Sequence, residues 1–215
     1  MENYKDKYKG KIGYILGTGP SLKTFKVTDF DAVYFGMNTC YLYDNIAPHL
    51  DILISEYYYE GIIIKKYNNN ETFHHMLADR KQMLWGGRPL KSLIDPTIPI
   101  FYDPRIECSI SSLKKEKYTN THPYDFEFLE NTIGYAPGIT RLYEQASTAY
   151  LTTLFAAYTG CSELKFIGCD CTGDLERLLD GWKGVKEILN DKYPDIKINN
   201  DFLFRSSKKK NKKRK

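Results

Sequence analysis

The sequence lacks the features that mark several large classes of protein. No apolar run approaches the roughly 20 residues of a membrane span, and the charged, tyrosine-rich first residues do not form the apolar core of a signal peptide. The five cysteines are odd in number and irregularly spaced, which indicates reduced thiols and a cytoplasmic protein. Cys169 and Cys171 do not have zinc-site spacing and no second pair complements them, so we expect no metal centre.

Basic residues are concentrated at the C-terminal end of the chain. Of the 31 Lys and Arg residues, eight lie in Arg205–Lys215, which holds no acidic residue, and the rest of the chain has fewer basic residues than its 27 acidic ones. We expect one folded domain over residues 1–204 and a disordered basic tail over 205–215. The tail is a candidate contact for nucleic acid, an anionic membrane or an import receptor; a solvated tail without a partner is the alternative.

Apolar runs alternate with helical patterns, which favours an α/β fold with a mostly parallel sheet. The strands are expected at 12–16, about 32–37, 50–55, 82–85, 98–102, 164–167 and 196–198. Helices are expected at about 41–46, 59–67, 147–159 and 175–192. The polar, lysine-rich region at about 107–123 has no apolar period and predicts a mobile loop.

A glycine-rich turn, Gly17-Thr18-Gly19-Pro20-Ser21, follows the first predicted strand. Glycines let backbone N–H groups approach an anion, and a helix N-terminus adds partial positive charge. The motif lacks the third glycine of a dinucleotide fingerprint and the Gly-Lys-Ser/Thr of a Walker loop. It predicts a phosphate-binding turn, with a structural tight turn as the alternative.

Polar residues also follow three other predicted strands. They are Asn38, Ser55 with Glu56, and the run Asp170–Asp174. In a doubly wound sheet, ligands bind at the carboxyl ends of the strands, so these positions predict one shared site. Each has a structural alternative, since Asn38 and Asp170 can cap helices and Glu56 can simply be solvated.

The Gly17–Leu22 motif, the strand ending in Asn38 and the unit from Ser147 to Asp170 resemble the bacterial sialyltransferases of glycosyltransferase family 42. They also resemble the related family of motility accessory factors and 6-hydroxymethylpterin diphosphokinases. The resemblance covers most of the chain except about 68–140. It implies a Rossmann-like single sheet with helices on both faces that binds a nucleotide-activated sugar. The residues it places near the donor are Gly17, Thr18, Gly19, Ser21, Asn38, Ser147 and Thr148.

The chain departs from the sialyltransferases at their catalytic positions. Those enzymes use a histidine in a lid after the Gly-x-Asp strand as general base, whereas no histidine follows His122 here. Cys171 and Thr172 stand where tyrosines would assist the departing phosphate. The base would then be a carboxylate, Asp170 or Asp174, or His122 supplied by the mobile loop.

The sequence is consistent with three functional hypotheses. The first is a glycosyltransferase that needs no cofactor, takes a nucleotide-activated sugar and a glycan or protein acceptor, and neutralises the departing phosphate with a cation such as Arg141. The second is a diphosphokinase-like phosphotransferase that uses Mg²⁺ held by Asp170 and Asp174. The third is a non-catalytic nucleotide-binding module.

Overall fold

The computed structural model describes residues 1–37, 40, 43, 45–55, 97–102, 120–135, 148–170 and 175–199, with the backbone alone for 175–180. Within these ranges the strands form a single seven-stranded sheet. The strands are β1 (Ile12–Leu16), β2 (Val33–Met37), β3 (Ile52–Ser55), β4 (Ile100–Tyr102), β5 (Thr121–Pro123), β6 (Glu163–Ile167) and β7 (Lys197–Asn199).

The sheet is parallel throughout, in the order β5-β4-β3-β2-β1-β6-β7. The chain steps outward from β1 to β5 and then crosses to the other side of β1 for β6 and β7. The strand order therefore reverses between β1 and β6, which pair in register from Ile12↔Glu163 to Leu16↔Ile167. The predicted α/β class with a parallel sheet is confirmed.

Helical segments cover both faces of the sheet. The α-helices are α1 (Phe126–Phe128, continuing as a π-helical turn Leu129–Ile133), α2 (Thr148–Tyr158) and α3 (Leu175–Lys192). Side chains from all three join one core with alternate residues of the strands, such as Ile15 and Phe35. The intervening strand residues, such as Leu16 and Leu53, pack on the other face with the short 3₁₀ helices Pro20–Thr24 and Ala47–His49.

Helix α2 runs antiparallel to the strands. Gly160, with φ of +87°, ends the helix, and only the short link through Cys161 and Ser162 precedes β6. The C-terminus of α2 therefore lies at the amino edge of the sheet. Because 11 helical residues and a five-residue strand are both about 17 Å long, Thr148 lies near the carboxyl edge.

One predicted element differs from the structure. The expected mobile loop at about 107–123 ends in strand β5, whose three residues pair with β4. Half of the helix expected at about 41–46 lies outside the described residues, and a 3₁₀ helix follows it at Ala47–His49. The predicted helix at 59–67, the strand at 82–85 and the tail at 205–215 lie outside the described residues. Within the described part of the chain, no helix is long and apolar enough to cross a membrane.

Candidate functional site

Two loops meet where the strand order reverses. After β1, residues Gly17–Ser21 lead into the 3₁₀ helix Pro20–Thr24, whose Leu22 is fully buried on the face away from α2. After β6, the segment Gly168–Asp170 leads toward α3, which packs against α2 on the opposite face. In open parallel sheets, ligands usually bind in a crevice at the carboxyl edge where the strand order reverses, so we place the candidate crevice at these two loops.

Four hydrogen bonds join the two loops at the base of this crevice. Gly17 N donates to Ile167 O and Gly19 N donates to Gly168 O, both at 2.7 Å. Gly168 N donates to the Ser21 hydroxyl oxygen at 2.9 Å, and Ser21 N donates to Asp170 Oδ2 at 2.7 Å. We call this set the loop clasp. It extends the β1–β6 pairing past the strand ends, at the position of the candidate crevice.

The glycines of the turn are required by the loop clasp itself. A Cβ on Gly17 would overlap the carbonyl of Gly168, and a Cβ on Gly19 would overlap the Asp170 carboxylate. The space beside both glycines therefore holds the β6 loop, where the sequence predicted a phosphate. Three of the turn's N–H groups donate into the clasp and Pro20 has none, so Thr18 supplies the remaining amide.

Asp170 is half-buried and its carboxylate accepts from a backbone amide 149 residues away in the chain. The structural alternative that we expected from the sequence was that Asp170 caps the helix that follows it. The structure instead places this carboxylate at the start of the 3₁₀ helix after β1, where it satisfies the Ser21 N–H. The other predicted carboxylate, Asp174, lies outside the described residues.

Thr148 is another predicted donor contact that lies near the carboxyl edge. It is buried in the first turn of α2, and its carbonyl accepts from the Thr152 hydroxyl at 2.7 Å. The helix N-terminus contributes partial positive charge at this edge. The predicted contacts Asn38 and Ser147, and the candidate cation Arg141, lie outside the described residues.

His122 is not brought to the crevice. It lies in the middle of β5, four strand spacings from β1, which is about 19 Å. Its ring stacks on Phe101 at 5.1 Å, and its Nε2 lies 2.7 Å from Asn120 Oδ1. Burial, with a smaller contribution from the positive N-terminus, lowers the pKa of His122. The hypothesis that a loop carries this histidine to the site fails because the residue belongs to an edge strand.

The cysteines within the described ranges are buried. Cys40, Cys161 and Cys169 are free thiols. Burial raises the pKa of Cys40 to about 12 and that of Cys161 to about 11, which keeps both protonated at neutral pH. Among the residues that the structure describes, no three His, Cys, Asp or Glu side chains cluster closely enough to hold a metal ion.

Solved structures similar to this chain include sialyltransferases of Campylobacter jejuni. CstII in complex with CMP-3FNeuAc is 16% identical, with a TM-score of 0.45 over 87% of this chain and 79% of that one. An α-2,3-sialyltransferase in apo form is 15% identical, with a TM-score of 0.43 over 88% and 74%. No protein-family model matches the sequence, and no match was found among curated proteins. Similarity at this level assigns neither a substrate nor a site residue to this chain.

Proposed function

We propose that the crevice above the loop clasp binds a nucleotide-activated sugar and that the protein is a glycosyltransferase. The observation that carries the proposal is the position of the glycine-rich turn. It follows β1 at the point where the strand order reverses, and the loop that contains Asp170 lies directly against it. Nucleotide phosphates bind at this point in open parallel sheets. The sugar-donor class is taken from the motif resemblance of Gly17–Leu22.

The chemistry is displacement at the anomeric carbon. The acceptor hydroxyl forms a new bond to that carbon while the bond to the donor phosphate breaks, and the acceptor proton passes to a base. The leaving phosphate gains negative charge, so stabilising groups must face it. With the amides of Gly17, Gly19 and Ser21 used in the clasp, we assign this role to the Thr18 amide and the N-terminus of α2 at Thr148.

A thermal-shift screen tests the proposal. The chain is heated with CMP-, UDP- and GDP-sugars and with ATP, each with and without Mg²⁺. A ligand that binds only the folded state at 100 times its Kd adds about 2.7 kcal/mol of stability, so a hit names the donor class. CMP is the first probe, because CstII was solved with it.

We expect a nucleotide sugar to raise Tm equally with and without Mg²⁺, and transfer or donor hydrolysis to follow. Stabilisation by ATP only in the presence of Mg²⁺ would replace the proposal with the phosphotransferase hypothesis. A nucleotide that binds without any turnover would identify a binding module. If no nucleotide shifts Tm, the crevice is not a nucleotide site.

A further inference from the structure

We infer that Asp170 and Ser21 are positioning residues, which set the crevice by holding its two loops together, and that Asp170 does not act as the base that receives the acceptor proton. The kinetic part of this inference rests on the proposed function. The structural part, that the two side chains lock the loops, stands without it.

Ser21 makes two hydrogen bonds to the loop after β6, one to the Asp170 carboxylate and one to the Gly168 amide. Ser21 donates through its amide to Asp170 Oδ2 and accepts through its hydroxyl from Gly168 N. The bond from an amide to a carboxylate is charge-assisted and therefore stronger than a neutral one. Both residues are half-buried, which limits competition from water. The other two bonds of the clasp are backbone to backbone, so Ser21 and Asp170 supply its only side-chain contributions.

The pair also fixes what the crevice presents to a ligand. Ser21 lies in the first turn of the 3₁₀ helix Pro20–Thr24 and precedes Leu22, which is fully buried. With Gly17 bonded on one side and Ser21 on the other, the intervening Thr18–Gly19 peptide has little freedom. Loss of the pair therefore moves the groups that contact the donor, whereas loss of a base removes a proton acceptor and leaves donor binding intact.

The matched substitutions Asp170→Asn and Asp170→Ala separate these roles. Asparagine keeps a carbonyl oxygen that can accept from Ser21 N but has no basic carboxylate. We expect Asp170→Asn to keep kcat and the donor KM within about threefold of wild type. Asp170→Ala should raise the donor KM about tenfold or more, and asparagine thus rescues the alanine defect. A kcat loss of about 10²–10⁴ in Asp170→Asn, with KM unchanged, would overturn the inference in favour of a general base.

A double-mutant cycle and a control complete the kinetic test. If Ser21 and Asp170 act as one unit, Ser21→Ala combined with Asp170→Ala should raise the donor KM by less than the product of the two single effects. Multiplicative effects contradict the inference.

Asp125→Ala is the control, because Asp125 also accepts from a backbone amide, Phe128 N at 3.0 Å, but at the start of α1. It should leave the donor KM unchanged.

Hydrogen exchange tests the clasp without reference to any activity. The Ser21 amide should exchange faster in Asp170→Ala than in wild type, and at nearly the wild-type rate in Asp170→Asn. An unchanged Ser21 rate in Asp170→Ala overturns the inference even if the protein proves to be a glycosyltransferase. Faster exchange in a protein that binds no nucleotide supports the clasp and rejects the proposed function, so the two failures are distinguishable.

Discussion

Two polar pairs of the sheet show how strand order decides which residues can lie close together. Ser21 and Asp170 are 149 residues apart and meet at the reversal between β1 and β6. Asn120 and His122 are two residues apart, with Asn120 just before β5 and His122 within it, and β5 is an edge strand of the sheet that the described residues form. Both pairs are part-buried and hydrogen-bonded, yet only the first borders the crevice. A polar residue near a strand end is thus a site candidate only if its strand lies near the reversal.

The largest expected effect comes from filling the space inside the loop clasp. Gly17→Ala places a Cβ against the carbonyl of Gly168. This backbone group cannot move away as easily as the end of a flexible side chain. We expect a loss of about 3 kcal/mol in the free energy of unfolding, measured by urea denaturation. A stable Gly17→Ala variant would show that the two loops are farther apart than described.

Gly184→Ala is the matched control for this substitution. Gly184 lies within α3, and a Cβ there meets no atom within 4 Å. Because alanine is a better helix former than glycine, this variant should gain up to about 1 kcal/mol. A lower free energy of unfolding for Gly17→Ala and a higher one for Gly184→Ala would show that the loss comes from the clash in the loop clasp and not from alanine as such.

A smaller effect is expected at the edge pair. Asn120 donates to Thr97 O at 2.8 Å and its side-chain oxygen contacts the His122 ring nitrogen. Asn120→Ala should cost about 1 kcal/mol of stability, because the lost bonds are accessible to water. Donor affinity should not change, in contrast to Asp170→Ala. Reduced donor affinity in a folded Asn120→Ala variant would place β5 at the site and contradict the assignment of the site to the β1–β6 reversal.

The central strands and long helices were predictable from the sequence because their signals are local and strong. The apolar run Ile12–Leu16 is β1 as predicted, and α3 has the predicted bounds of Leu175–Lys192. Strand β5 was missed, since three residues ending in Pro123 carry no measurable alternation. The π-helical turn Leu129–Ile133 was missed for the same reason of length.

That the loops after β1 and β6 lie at the same edge was predictable from the sequence, but their contacts were not. A glycine turn and an aspartate after two separate strands indicate a shared edge once the sheet is taken as parallel. That β6 lies next to β1, however, depends on packing of the whole sheet. A glycine in this turn can leave room either for a phosphate or for a neighbouring loop, and the sequence is the same in both cases. The structure shows that the space beside Gly19 holds the Asp170 carboxylate.

The pH dependence of stability gives a finer test of the edge pair. Because burial lowers the pKa of His122, the unfolded chain binds a proton more tightly than the folded one. The stabilisation of the folded state by neutral His122 is therefore fully present above the ordinary histidine pKa of about 6.5. It is lost as pH falls from there through the lower pKa that His122 has in the folded state. His122→Gln should therefore lose less Tm than wild type between about pH 7.5 and about pH 5.5. An equal or greater loss would contradict the shift.

The smallest expected effect on folding is that of the basic tail. Ser206–Lys215 contains no apolar side chain, so its deletion removes no apolar surface from the core. We expect Tm within about a degree or two of the full chain. Any affinity of the full chain for a DNA duplex or for anionic vesicles should weaken with added salt and should disappear on deletion, because the deletion removes seven Lys and Arg residues. Donor binding that survives the deletion would place the tail outside the crevice. A Tm loss of many degrees would instead mean that the tail docks on the acidic remainder of the chain and belongs to the fold.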